Sequence, residues 1–160
     1  MTAPITDRTC REAPRLRDFE GDWTLSRKIE DRRARLSGRL DGTARWQPAE
    51  GGLRMGEAGL LRFGAAAPIR AERGALWMQD GPDIRVHFED GRFFHLIAPR
   101  AGRAGAVHEC APDRYEVTYD FRDWPRWSAL WTVTGPRKDY VMRSDYAPGE
   151  RPARNEKGAP

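Results

Sequence analysis

Cysteine is nearly absent: Cys10 and Cys110 are the two in 160 residues. That excludes a disulfide-stapled scaffold and a four-cysteine zinc site. Histidine is almost as scarce, with His87, His95 and His108 alone, so no metal centre is expected. No apolar run approaches the roughly 18 residues of a membrane-spanning helix. The first ten residues lack the apolar centre of a secretory signal, so a soluble, cytoplasmic protein without membrane partners is expected. Lysine occurs only at 28, 138 and 157, and the net charge of +4 is therefore carried by arginine. Acids are interspersed with those arginines, as in Glu30, Asp31, Arg32 and Arg33, or Asp120, Arg122 and Asp123. No basic face forms, and nucleic acid is not indicated as a partner. The abundance of Arg, Ala, Gly and Pro reads instead as a GC-rich coding background.

Aromatic residues are plentiful: six Trp, six Phe and four Tyr. They give one domain enough bulk for a core. Their spacing is that of strands. Trp23, Leu25 and Ile29 fall on alternate positions, as do Ile84, Val86 and Phe88, and Tyr115, Val117, Tyr119 and Phe121. Trp127, Ala129, Trp131 and Val133 repeat the pattern, followed by Tyr140, Met142, Ser144 and Tyr146. Period two with one apolar face marks an antiparallel sheet wetted on its other side.

Turns separate the rows: Glu50-Gly51-Gly52, Asp80-Gly81-Pro82, Glu89-Asp90-Gly91 and Gly135-Pro136. Strands are expected over 21–29, 35–46, 53–63, 69–79, 83–89, 92–98, 105–110, 113–122, 127–134 and 138–147. One helical turn is expected between Pro14 and Phe19. The reading is all-β: a single antiparallel up-and-down barrel of about ten strands over 14–147. It has a flexible arm over 1–13 and a disordered tail over 148–160. Closure would remove exposed sheet edges.

Two features carry a resemblance. Phe19-Glu20-Gly21-Asp22-Trp23 places a Gly-x-Trp at the first strand, and Gly135-Pro136-Arg137 stands near the end. This pairing resembles calycin barrels, the lipocalins and fatty-acid-binding proteins. In that pattern the Trp closes one end of the barrel and a late Arg packs across it. The resemblance thus implies a structural closure by Trp23 and Arg137. His108-Glu109-Cys110, Asp113-Arg114-Tyr115, Tyr119-Asp120-Phe121, Trp124, Trp127, Trp131 and the run Gly135-Pro136-Arg137-Lys138-Asp139-Tyr140 are similar to domain of unknown function 6314. This likeness extends from about Phe19 to Tyr146. It implies a fold and pocket positions, not a reaction.

With Trp23 inward, Arg27 is inward too: either a hand for a ligand carboxylate or phosphate, or the partner of an internal acid such as Asp120 or Asp139. His95 points inward with Phe93 and Ile97. It would orient a ligand or bond a buried hydroxyl such as that of Tyr119. Tyr119, Trp131, Tyr140, Ser144 and Tyr146 read as a pocket wall or as packed core. His108 and Cys110 share a strand face. A thiol with its base is one reading; a Cys packed as a small hydrophobe beside a bonded His is the other. Trp124 and Trp127 flank Pro125, where one would cap the barrel mouth.

The function expected is binding of a small, partly apolar, optionally anionic ligand by Arg27, His95, His108, Tyr119, Trp131, Tyr140, Ser144 and Tyr146. One alternative is an enzyme using His108 as acid or base, with Cys110 or Tyr119 assisting. Another is an interaction module with a packed barrel. No cofactor is required; haem is the variant guest, needing an inward His with space beside it. Ligand identity, turnover and oligomeric state are not encoded in these patterns.

Overall fold

A computed structural model describes residues 12–149. The arm expected over 1–13 and the tail expected over 148–160 lie outside the described residues, apart from residues 12, 13, 148 and 149. A 3₁₀ turn at Leu16–Phe19 leads into ten strands. They are β1 (Gly21–Asp31), β2 (Leu36–Ala49), β3 (Gly52–Phe63), β4 (Ile69–Asp80), β5 (Asp83–His87), β6 (Phe93–Ile97), β7 (Arg103–Cys110), β8 (Asp113–Asp120), β9 (Trp127–Thr134) and β10 (Asp139–Pro148).

Apart from β6 and β7, strands adjacent in sequence pair antiparallel, and β1 also pairs with β10 from Trp23↔Pro148 to Asp31↔Tyr140. The result is a nearly closed up-and-down barrel. Its one break falls between β6 and β7, which are not joined in the sheet. Tight turns set the meander, and several use glycine in the left-handed region, among them Gly51 at φ 80° and Gly81 at φ 57°. Among the described residues, no helix is long and apolar enough to cross a membrane.

Alternation holds along most strands. On β9, Trp127, Ala129, Trp131 and Val133 are buried. On β1, Trp23, Leu25 and Arg27 are buried. One end of the barrel is stopped by aromatic packing. Phe19 is fully buried, with the rings of Trp23, Trp46, Trp77, Phe121, Trp124 and Trp127 at centroid distances of 5.0 to 6.3 Å. Most of these contacts are edge-on, the arrangement that ring quadrupoles favour. The Trp23 indole N–H donates to the Phe19 carbonyl at 2.7 Å, tying the 3₁₀ turn to β1. Trp124 and Trp127, which flank Pro125, both pack against Phe19 at this stopped end.

Three expectations are corrected. Arg137 does not cross the Trp23 ring. It is exposed in the β9–β10 turn, at the end of β1 remote from Trp23. Within the Gly-Pro-Arg-Lys-Asp-Tyr run the structural cation is Lys138, whose Nζ donates to Asp113 and to the Tyr115 hydroxyl, both at 2.9 Å. Phe93 is not inward with His95 and Ile97. It is 46% exposed, because a register shift between Val86 and His87 pairs His87 with Phe93 and breaks the alternation there. Cys110 is not a packed small hydrophobe: it is a free, exposed thiol at the end of β7.

Candidate functional site

The barrel interior holds a cavity of about 280 Å³, partly open to solvent. Its apolar wall comes from β2 to β6 and from β8 to β10: Trp46, Met55, Trp77, Val86, Phe94 and Trp131 are the main faces. Ala75 and Ala129 are small inward-facing residues of the lining, and they leave the space that larger side chains would fill.

One side of the cavity is polar. Arg27 on β1 and Glu57 on β3 are both buried. The Arg27 Nη2 donates to Glu57 Oε2 at 2.8 Å, and its Nε to the Ser144 Oγ at 2.7 Å. The Tyr146 hydroxyl donates to Glu57 Oε1 in a very short hydrogen bond. Arg73 on β4 reaches the same carboxylate, but at 3.2 and 3.4 Å, and 40% of its side chain is exposed. Burial alone would raise the Glu57 pKa. Arg73, Arg27 and the Tyr146 hydroxyl outweigh it and hold the carboxyl at about 2. Burial likewise opposes the charge on Arg73, and Glu57 more than restores it. Burial pushes the Tyr146 and Tyr119 hydroxyls up, so both stay neutral.

His95 on β6 is buried at the cavity wall, its Nε2 hydrogen-bonded to the Tyr119 hydroxyl at 2.9 Å. Burial, then the charges of Arg73 and His108, lower its pKa to about 3. The imidazole is therefore neutral in ordinary buffers. Its Nδ1 is buried without a partner among the described residues, as are the indole N–H groups of Trp46, Trp77 and Trp127.

The candidates named from sequence divide cleanly. His95, Tyr119, Trp131 and Tyr146 line the cavity. Arg27 and Ser144 stand behind it, committed to Glu57 and to each other; Arg27's acid is Glu57, not Asp120 or Asp139. Tyr140 is half-buried and is not part of the lining. His108 is also off the lining, half-buried among the rings of Phe88, Phe94 and Tyr115 at 5.0 to 6.3 Å. It forms no acid–base pair with the exposed Cys110. No cluster of three metal-ligating side chains exists among the described residues.

Glu57 and Arg73 were missed. Both were within reach of the alternation: Leu53 and Met55 set the inward parity of Glu57, and Ala75 and Trp77 set that of Arg73.

Residues 19–148 match the model of a family of unknown function. No curated protein matches. Among solved structures, the S-type phycobiliprotein lyase CPES from Guillardia theta is similar, with a TM-score of 0.62 at 9% identity. The match covers 94% of this chain and 100% of that one. At that identity the likeness is one of fold, a calycin-like barrel.

Proposed function

The chain belongs to the family of unknown function DUF6314, and from that premise we propose that it binds a small, partly apolar ligand inside its barrel. The observation that carries this reading is the cavity itself: about 280 Å³, walled by aromatic rings, with charged and hydroxyl groups gathered on one side. Apolar surface with a few convergent polar groups is what small-molecule sites present. The similar lyase lends the barrel form to this reading and not its reaction.

A binding role is favoured over proton-transfer catalysis. His108, the residue expected to serve as acid or base, is not in the lining, and neither is Cys110. His95 is held neutral far below pH 7, and Tyr119 far above it, so neither gives nor takes a proton readily there. A packed-barrel interaction module would leave no such space.

Native mass spectrometry of freshly purified protein tests the reading. A retained small mass is expected, lost on denaturation and lost in Ala75→Phe, which fills the cavity. A wild-type protein that carries no such mass, and whose tryptophan emission is indifferent to small aromatic acids and amides alike, would remove it.

A further inference from the structure

Resting on the interior-ligand reading, we infer that the guest is a small monocarboxylate whose charged end seats on Arg73. Three independent features converge on this chemistry.

The charge count comes first. Two guanidinium groups, Arg27 and Arg73, face one carboxylate, Glu57. Glu57 is already served by Arg27 at 2.8 Å and by the very short bond from Tyr146. The Arg73 contacts, at 3.2 and 3.4 Å, are the long ones. Arg73 lines the cavity and Arg27 does not. Among the described residues no other acid lines it, and its other titratable groups, His95, Tyr119 and Tyr146, are uncharged at neutral pH. One positive charge is left over in this cluster, and Arg73 carries it at the open side of the cavity, where its half-exposed guanidinium is within reach of an entering carboxylate.

The hydrogen-bonding inventory points the same way. The indole N–H groups of Trp46, Trp77 and Trp127, all in the lining, have no acceptor among the described residues. The lining's one carboxylate is saturated. Those nitrogens are buried within the wall, and His95 Nδ1 is, among the described residues, the one unpartnered lining atom able to accept, so acceptors on the guest suit this wall better than further donors. An amine would add donors to donors and a second positive charge.

Size and shape finish the selection. About 280 Å³ lies just under the roughly 300–1,000 Å³ of typical ligand sites. The guest is thus small, its apolar body against Trp77, Phe94 and Trp131. A planar carboxylate suits the guanidinium fork. A phosphate monoester or dicarboxylate would carry a second negative charge that no cation of the lining meets.

Collisional quenching of tryptophan emission tests this without a known ligand. Iodide and acrylamide are compared at pH 7.5 in the wild type, Arg73→Met and Arg73→Lys, then with phenylacetate or phenylacetamide added. A unit charge about 4 Å away is worth about 1 kcal/mol in water, or about fivefold in local anion concentration. The ratio of iodide to acrylamide quenching is expected to fall by up to about fivefold in Arg73→Met and to survive in Arg73→Lys. Phenylacetate should suppress the excess iodide quenching and phenylacetamide should not. An unchanged ratio in Arg73→Met, a failure of phenylacetate to compete, or equal competition by the amide would overturn the inference while leaving interior binding intact. Acrylamide quenching that is identical in the wild type and in the filled-cavity variant Ala75→Phe would instead overturn the interior site itself.

Discussion

Tyr146 lies flat on Trp127, with ring centroids 3.8 Å apart and planes 7° from parallel. The stack fixes where the Tyr146 hydroxyl stands, and that hydroxyl donates to the buried carboxylate of Glu57. One residue thus joins the aromatic side of the cavity to its charged side. Tyr146→Phe keeps the stack and deletes the bond. A loss of about 1–3 kcal/mol is expected, because a buried carboxylate oxygen gives up a donor. Urea denaturation at pH 7.5 measures it, and an unchanged midpoint would mean the short bond contributes nothing.

Glu57 should give the barrel an acid limb. Its carboxyl titrates at about 2 in the fold against 4.5 for an ordinary glutamate. A group depressed in this way stabilises the fold above its unfolded value. That contribution fades as pH drops from about 4.5 towards 2. Denaturant midpoints between pH 5 and pH 2 should fall more steeply for the wild type than for Glu57→Gln. Glu57→Gln should also be less stable at pH 7, since two guanidinium groups lose their partner.

His95 acts over a higher window. Unfolded, it takes a proton near 6.5; folded, near 3. The unfolded chain therefore binds the extra proton at intermediate pH. Stability is full above about 6.5 and declines as pH falls towards 3, with a slope approaching roughly 1.4 kcal/mol per pH unit. His95→Gln should lose that slope between pH 6 and pH 4.5. Parallel pH profiles for the two proteins would show the imidazole to be solvated after all.

The seam between β6 and β7 should be visible in hydrogen exchange. Every other neighbouring pair around the ring is joined by a ladder, whereas here the outward edges are unpaired. Amides on the outer edges of β6 and β7 are expected to exchange far faster than those of β1, which is paired on both sides. Uniform protection around the ring would contradict the break.

How much of this was legible in the residues depends on which rule governed each place. Alternation of large apolar with polar residues located the strands, because a half-wet sheet imposes that pattern on every strand with one face in the core. It also put Trp23, Arg27, His95, Tyr119 and Tyr146 inside. It failed at Phe93, where a register shift between β5 and β6 breaks the period locally and leaves no mark in composition. Arg137 failed for another reason. Its role was taken from a family likeness, and the length of β10 carries the turn away from the stopped end. Glu57 and Arg73 escaped notice because charged residues at inward parity look like errors in the pattern until their partner is in view. The cavity depends on Ala75 and Ala129, and what small residues leave empty cannot be told from what a neighbouring ring fills until the strands are assembled.

A hoop cut at one point changes girth by flexing, with no backbone ladder to unzip there. Across the gap between β6 and β7 this barrel is held by side chains rather than by backbone pairing: His108 lies against Phe88 and Phe94, Phe94 against Trp131, and His95 bonds the Tyr119 hydroxyl. Rings slide past one another at far lower cost than a ladder unzips. The calibre of the chamber is therefore set there by side chains, and replacing one of them resizes the vessel without redrawing its staves.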